Sequence, residues 1–296
     1  MKQITVFTPA YNRADLLPRC YESMKKQTNQ NFIWMVIDDG STDHTLSLIQ
    51  GYMNDSHEFE IEYYFKENGG LHTAYNEAIA HIKTPLCVCI DSDDWMPEDA
   101  IEKILSFWHE NGSDQYAGIV GLDCFENGEI IGDKFPNQKS INLIDLMTGR
   151  YKIKNGDRTN VVRTELYKKF APMKIFPGEK NFNPHYMHLQ ISMEYDFLVM
   201  NENLHYVEYQ PGGMSNSMLK QYRNSPNSFA EFRRLQMEFP NEPAKFCIKT
   251  AIHYGVECML AKRRIFRGLN LKYSCLCTIT LPFILFLYFY ILYKTK

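Results

Sequence analysis

An α/β fold with a mainly parallel sheet is predicted by two observations. Strand-like apolar runs alternate with helix-like segments over the first hundred residues, and a short polar segment follows each run. The runs are Ile4 to Phe7, Phe32 to Ile37, Ile61 to Phe65 and Leu86 to Ile90. Three of them are nearly unbroken apolar stretches, the pattern of strands buried on both faces of a sheet.

Between the first two runs, Leu17, Cys20, Tyr21 and Met24 recur at helical spacing. Thr45 to Tyr52 reads as the next helix, with Ser41, Thr42 and Asp43 as capping candidates. Gly69-Gly70 precedes a helical stretch from Leu71 to Ile82, and Pro97, Glu98 and Asp99 open another that runs to about Glu110. Strand-helix alternation implies right-handed crossovers, which place the segments after the strands on one edge of the sheet. Thr8-Pro-Ala-Tyr-Asn-Arg13, Ile37-Asp-Asp-Gly-Ser-Thr42, Lys66-Glu-Asn-Gly-Gly70 and Asp91-Ser-Asp-Asp94 are therefore expected to converge on one crevice.

The 296 residues are long for a single core and divide into a nucleotide-binding half, residues 1–125, and a second half, residues 126–222. A helical region, residues 223–272, and an apolar segment, residues 273–293, follow. A net charge of -3 argues against a nucleic-acid partner. The 8 cysteines show no zinc-type Cys-x-x-Cys pair and no framework of a small secreted domain, so they read as buried free thiols in a reducing compartment. A strand begins within three residues of the start without a signal peptide, which places the catalytic part in the cytoplasm.

From Tyr273 to Tyr293 no residue is charged, and as one helix this stretch would span roughly 31 Å, close to the hydrocarbon thickness. Membrane contact is expected. Lys262, Arg263, Arg264, Arg267 and Lys272 precede the stretch and only Lys294 and Lys296 follow it, so the bulk of the chain belongs on the cytoplasmic face of the cell membrane. With Pro282 inside it, a single span, a kinked re-entrant element and an interfacial helix all fit. Ile252 to Arg267 fits a membrane-surface helix as well as amphipathic packing on the catalytic domain.

The carboxylates carry the chemistry. Asp91 and Asp93 stand at alternate positions just past a strand, with Asp94 beside them, an all-oxygen set suited to a hard divalent cation such as Mn2+ or Mg2+. The same residues also fit turn and helix-cap positions. Asp38 and Asp39 end the second strand, where a carboxylate can accept from a base or ribose or cap the next helix. Amides at Gly69 and Gly70, before a helix, can face an anion, although a glycine pair is equally a turn.

Thr8-Pro-Ala-Tyr-Asn-Arg13, Val36-Ile-Asp-Asp-Gly-Ser-Thr-Asp43 and Asp91-Ser-Asp-Asp94 followed by Pro97 closely resemble the N-terminal signature of family 2 glycosyltransferases over roughly residues 1 to 125. The resemblance implies a GT-A (Rossmann-like) domain that binds a nucleotide sugar, commonly UDP-linked, with a divalent cation gripping the diphosphate. It carries Thr8, Ala10, Tyr11, Arg13, Asp39, Gly69, Gly70, Asp91 and Ser92 to the nucleotide-sugar site, with Thr8 and Tyr11 lining the base pocket, Asp39 on the uracil and Asp91 at the ribose. Asp93, with Asp91 and Asp94, would hold the metal. The base that activates the acceptor hydroxyl would come from the second half, at Glu179 in Gly178-Glu-Lys180, with Asp157 and Glu194 as competitors. The branch often has a glutamate where this chain reads Pro184-His185, and an acidic residue where Gly212 stands in Tyr209-Gln-Pro-Gly-Gly-Met-Ser215.

The Gln-x-x-Arg-Trp motif of processive members is absent, so the resemblance implies transfer of one sugar at a time to a saccharide or lipid-linked acceptor in cell-surface polysaccharide synthesis. Two other classes stay open. One is a non-catalytic nucleotide-sugar-binding subunit of a membrane polysaccharide assembly. The other is a metal-dependent nucleotidyltransferase, disfavoured because Pro9-Ala-Tyr-Asn12 is not the glycine-rich, arginine-containing loop such enzymes show after the first strand.

Overall fold

A computed structural model describes residues 2–210 and 217–296. The expected loop at Gly212 lies outside the described residues. Backbone contacts divide the chain into two compact units, one of Met1–Gly69, Thr73–Met173 and Met187–Glu208, the other of Gly70–His72, Lys174–Tyr186 and Tyr209–Lys296. This division does not follow the linear halves expected from sequence. Lys174–Tyr186, which contains Glu179, folds with the C-terminal helices.

The first unit carries a mixed sheet whose order is β3-β2-β1-β4-β7-β5-β8-β6. Strands β1 (Ile4–Ala10), β2 (Phe32–Asp38), β3 (Glu60–Phe65) and β4 (Leu86–Cys89) are mutually parallel, as the alternation predicted. Every residue of β1 and β2 is buried, which explains their unbroken apolar character, whereas the edge strand β3 is partly wet. β7 (Arg158–Arg163) runs antiparallel between β4 and β5 (Tyr116–Cys124), and β8 (Asp196–Tyr206) lies parallel to β5. The two-residue β6 (Ser140–Ile141) closes the far edge, antiparallel to β8.

The helices of this unit follow their apolar stripes. α1 (Leu17–Lys25) buries Leu17, Cys20, Tyr21 and Met24, and Tyr21 stacks on Tyr52 of α2 (Thr45–Met53) at 3.7 Å between ring centroids. Asp43 Oδ1 accepts from Thr45 N at 3.0 Å at the start of α2. α3 (Leu71–His81) and α4 (Ala100–Asn111) complete the crossovers of the parallel part, and α5 (Leu143–Thr148), α6 (Thr164–Phe170), α7 (His185–Ser192) and α8 (Met218–Asn224) follow along the chain. Helix α4 begins six residues beyond Asp94, with Asp99 at its N-cap position, so the acidic cluster does not cap it.

Register sets the edge of the sheet. Ala10 pairs with Asp38 and Asp38 with Phe65, so β1, β2 and β3 end side by side and release their polar segments together. β4 ends where Cys89 meets Phe7, and Ile90 N still donates to Phe7 O before the chain turns into Asp91–Asp94.

The second unit is helical. Most of the expected helical region, residues 223–272, is two helices, α9 (Pro226–Gln236) and α10 (Ala244–Leu260), separated by a segment containing Pro240 and Pro243, neither of which can donate a main-chain hydrogen bond. The uncharged tail is likewise two helices, α11 (Leu271–Ile279) and α12 (Leu281–Lys294), bent by 67°. Pro282 in the first turn of α12 removes the donor that would carry a helix through Thr280. No single helix among the described residues is long and apolar enough to cross a membrane. Tyr254, Cys258, Tyr273, Cys277, Ile284 and Ile291 form the core of these helices. All eight cysteines are free thiols.

Candidate active site

Four loops leave the same edge of the parallel strands, and the first three are sewn together there. Asn12, at φ +52°, turns the chain after β1 so that its Oδ1 accepts from Thr42 N at 2.8 Å while its own N donates to Ser41 Oγ at 2.9 Å. Arg13 N donates to Thr45 Oγ1 at 3.1 Å. Gly40, at φ +81°, brings the second loop against the third so closely that a Cβ would lie 2.7 Å from Asn68 N.

Asp39 organises the third loop. Its Oδ1 accepts from Lys66 Nζ at 2.5 Å, Gly69 N at 3.0 Å and Thr73 Oγ1 at 3.4 Å, and Asn68 Nδ2 donates to its main-chain oxygen at 2.8 Å. Asp38 serves structure: Oδ1 takes Ser41 N at 2.7 Å and Oδ2 takes Tyr63 Oη at 2.7 Å. Gly70, in the second unit, has φ +95°, and a Cβ there would stand 1.9 Å from Lys180 O. Only glycine fits.

The acidic loop after β4 is the strongest feature of the site. Carboxylate oxygens of Asp91, Asp93 and Asp94 all lie within 4.8 Å of one another, with Asp91 exposed, Asp93 half-buried and Asp94 buried. Ser92 between them is buried. The loop is a turn in which Asp94 N donates to Asp91 O at 3.1 Å, and Asp94 Oδ1 accepts from Glu208 N at 3.2 Å.

Arg19, which sequence reasoning missed, holds this loop from below. Its Nη2 donates to Asp93 O at 2.8 Å and to the Glu208 carboxylate, and its guanidinium lies 3.8 Å over the Trp95 ring. Its place on α1, four residues before the buried Ser23, carried no local signal. Trp95 in turn pairs with Tyr206 of β8, anchoring the loop's far end to the sheet.

Electrostatics mark the cluster as cation-seeking. Loss of hydration, then the Asp91 and Asp93 charges, push Asp94 up to about 9. Asp91 reaches solvent along one side but is crowded by protein, and that crowding, with Asp93 and Asp157, raises it to about 6 against the pull of Arg13. Asp123 on β5, also missed from sequence, is driven to about 7 by burial although Thr159 Oγ1 donates to it at 2.5 Å. Three carboxylates this close repel each other unless protons or a cation intervene, and an all-oxygen set of this size fits a hard divalent ion. Asp91, Asp93 and Asp94 therefore fit Mn2+ or Mg2+.

Two expected assignments are corrected by the geometry. Thr8 is 0 % exposed and its hydroxyl accepts from Trp34 Nε1 at 2.9 Å, so its side chain belongs to the core, not to a pocket wall. Of its neighbours, Ala10 ends β1 in the buried layer, while Tyr11 projects from the edge with Arg13 after it. Glu179 is 7 % exposed, and both oxygens of its carboxylate are occupied. Oε1 accepts from Asn227 N at 2.9 Å and Asn227 Nδ2 at 2.8 Å, and Oε2 from Ser228 N at 2.8 Å and Ser228 Oγ at 2.7 Å. These are the first-turn donors of α9, so Glu179 caps a helix from a distance and is not poised to take a proton. Of its competitors, Glu194 is ion-paired with Lys169, and Asp157 lies close enough to Asp91 and Asp123 to raise both.

Known proteins resemble this chain in sequence and fold. Streptococcus pneumoniae glycosyltransferase GlyA is 33% identical over 137 residues, covering 45% of this chain and 19% of its own. Pasteurella multocida chondroitin synthase is 34% identical over 102 residues, covering 34% and 10%. A Bacillus subtilis glycosyltransferase named for teichuronic acid biosynthesis, TuaG, is 31% identical over 107 residues, covering 36% and 42%. The chain thus spans less than half the length of each of these relatives. Among solved structures, residues 1–349 of Staphylococcus aureus TarS with UDP-GlcNAc share the fold at TM-score 0.63 and 18% identity, over 96% of this chain and 81% of that one. The Pyrobaculum calidifontis mannosyltransferase PcManGT with GDP-Man and Mn2+ does so at 0.60 and 15%, over 99% and 86%. The family model described as "Glycosyl transferase family 2" matches residues 5–182, well over half of the chain, and with its GT-A sheet and acidic loop the chain belongs to glycosyl transferase family 2.

Proposed function

We propose that the chain is a metal-dependent inverting glycosyltransferase that moves one sugar from a nucleotide sugar, UDP-linked by preference, to a hydroxyl of a saccharide or lipid-linked acceptor in cell-surface polysaccharide synthesis. The observation that carries this reading is the cluster of Asp91, Asp93 and Asp94 at the edge where the first three loops meet. Further support comes from TarS with UDP-GlcNAc, PcManGT with GDP-Man and Mn2+, and the names of chondroitin synthase and TuaG.

In this mechanism Asp93, with Asp91 and Asp94, would hold a divalent ion, which would supply charge stabilisation for the departing diphosphate. Arg19 keeps the Asp93 main chain in place through its hydrogen bond and its stack on Trp95. Tyr11 offers an exposed ring at the edge for the base, and Asp39, set by Lys66 and Gly69, fixes the loop beside it. Arg13, Gly69 and Ser92 complete the donor side within the first unit. Asp157 takes the proton from the acceptor hydroxyl as it attacks the anomeric carbon from the face opposite the diphosphate, and this single displacement inverts the centre. Asp157 is exposed and stands near enough to Asp91 and Asp123 for its charge to raise both carboxyls, which supports it as the base. The apolar, basic character of the C-terminal helices supports a position on the cytoplasmic face of the cell membrane, where a lipid-linked acceptor would be found.

Incubation with a panel of UDP- and GDP-sugars and Mn2+, alongside Asp93→Ala, tests the proposal. Metal-dependent nucleotide release that Asp93→Ala abolishes is expected. Donor binding without metal-dependent release from any donor would favour a binding subunit of a polysaccharide assembly instead.

A further inference from the structure

The C-terminal helices carry more than a general affinity for membrane. On α12, Ile284 and Ile291 are fully buried against the core of the helical unit, while Phe283, Phe286, Phe289 and Tyr293 stand outward on the opposite side. Phe286 and Tyr293 are 71 % and 70 % exposed. Leu271, Ile279 and Phe266 add to the exposed apolar surface nearby in sequence. Single exposed apolar residues are ordinary, but a row of aromatics along one helix marks a contact surface.

Both ends of the helix pair are tied back to the same folded unit. At the start, Lys272 Nζ donates to Glu242 Oε2 at 2.8 Å and Tyr273 Oη to Glu242 Oε1 at 2.9 Å. At the end, Arg223 Nη1 of α8 (Met218–Asn224) donates to Thr295 O at 2.5 Å and to Thr295 Oγ1 at 3.1 Å. Between them α12 packs closely on α10, where a Cβ at Gly255 would lie 2.5 Å from Ile284 Cδ1. Its 14 residues reach about 21 Å, short of the ~30 Å of a hydrocarbon core.

Charge selects the partner. From Cys258 to Lys296 there are seven basic residues and no acidic one, which leaves 25 basic against 35 acidic residues, a net -10, in the rest of the chain. Arg264, Ile265, Phe266 and Arg267 line an open recess, so two arginines flank two apolar residues at this surface. That combination matches the boundary between anionic phospholipid headgroups and acyl chains.

The geometry points to a monotopic anchor: α12 lies in the plane of one leaflet with Phe283, Phe286, Phe289 and Tyr293 among the acyl chains and the basic residues on anionic headgroups, and no segment of the pair crosses the bilayer. This deepens the membrane placement proposed above and rests on it. Inside-out membrane vesicles from cells that express the chain are treated with a membrane-impermeant amine reagent, and Lys294 and Lys296 are examined by mass spectrometry. Both lysines are expected to react without detergent. Reaction only after detergent, with the chain still vesicle-bound, would overturn the in-plane anchor and leave the membrane placement standing. A second measurement separates the two: the purified chain should sediment with vesicles containing phosphatidylglycerol and not with phosphatidylcholine alone. Arg264→Gln with Arg267→Gln should weaken that binding about thirtyfold, which is ~1 kcal/mol per basic residue, and replacing the four aromatics by serine should weaken it ~100-fold or more. Absence of sedimentation with either vesicle, or a soluble dimer that buries the aromatics, would overturn the anchor and the membrane placement together.

Discussion

Glu179→Gln discriminates between the two roles this carboxylate could have. In the structure it replaces a local cap: Ser225, at the N-cap of α9, makes no capping bond, Pro226 has no N–H, and the next two donors, Asn227 N and Ser228 N, go to Glu179. Glutamine keeps one acceptor oxygen, so two of the four hydrogen bonds are lost and an amide NH2 is left facing donors. Hydrogen bonds to a charged acceptor are worth about 1.5–3 kcal/mol each, and the lost charge at a helix N-terminus adds up to ~1 kcal/mol. Because the group is almost fully buried, solvent screens little of this. A loss of about 3–7 kcal/mol is expected, read as a lower urea midpoint of the helical signal, with turnover of the protein that stays folded within about threefold of the parent. Asp157→Asn should show the inverse pattern, with stability within ~0.5 kcal/mol of the parent and turnover lowered by about 10²–10⁴. An unchanged midpoint for Glu179→Gln together with a roughly thousandfold loss of turnover would refute the capping argument and return Glu179 to the reacting centre.

Four further outcomes are expected. Asp93→Ala should lower metal-dependent nucleotide release by about 10³, the several kcal/mol a cation supplies to a leaving diphosphate, and calorimetric titration should show the loss of Mn2+ binding. Arg19→Ala frees the Asp93 main chain and the Trp95 ring, and should weaken apparent Mg2+ affinity about tenfold, as loss of a partner behind metal ligands does. Asp91, Asp123 and Asp94 are raised to about 6, 7 and 9, so the metal-free folded chain binds more protons than the unfolded one. Their contribution is intact at low pH and is lost as pH rises through those values, so the metal-free Tm should fall from pH ~5 to pH ~9 and Mg2+ should restore it most at the alkaline end. Gly70→Ala forces a Cβ into Lys180 O at a positive φ and should cost more than ~2 kcal/mol, seen as a thermal shift.

The donor half was legible because its signals are local. β1, β2 and β4 lie in the parallel part of the sheet and are almost wholly buried, hence mostly apolar, and each polar loop follows its strand directly in the chain. The rest of the sheet was not legible for the converse reason. β7 reads Arg-Thr-Asn-Val-Val-Arg, β5 contains two glycines and the buried Asp123, and β6 has two residues, so none shows a strand period. Their order depends on pairings such as Val88 with Val161, between residues far apart in sequence.

The same distinction explains which site residues were found. Asp91, Asp93 and Asp94 are neighbours in the chain, and the short turn that joins them also brings their oxygens together, so spacing alone reports the cluster. Glu179 and Arg19 owe their roles to partners 48 and 74 residues away. A glutamate beside a glycine and a lysine carries no mark that its four hydrogen bonds will go to a helix N-terminus. For the same reason an acidic residue in the acceptor half is by itself weak grounds for a base: burial with every lone pair occupied holds a carboxylate in place, whereas proton transfer needs an oxygen that the acceptor hydroxyl can reach.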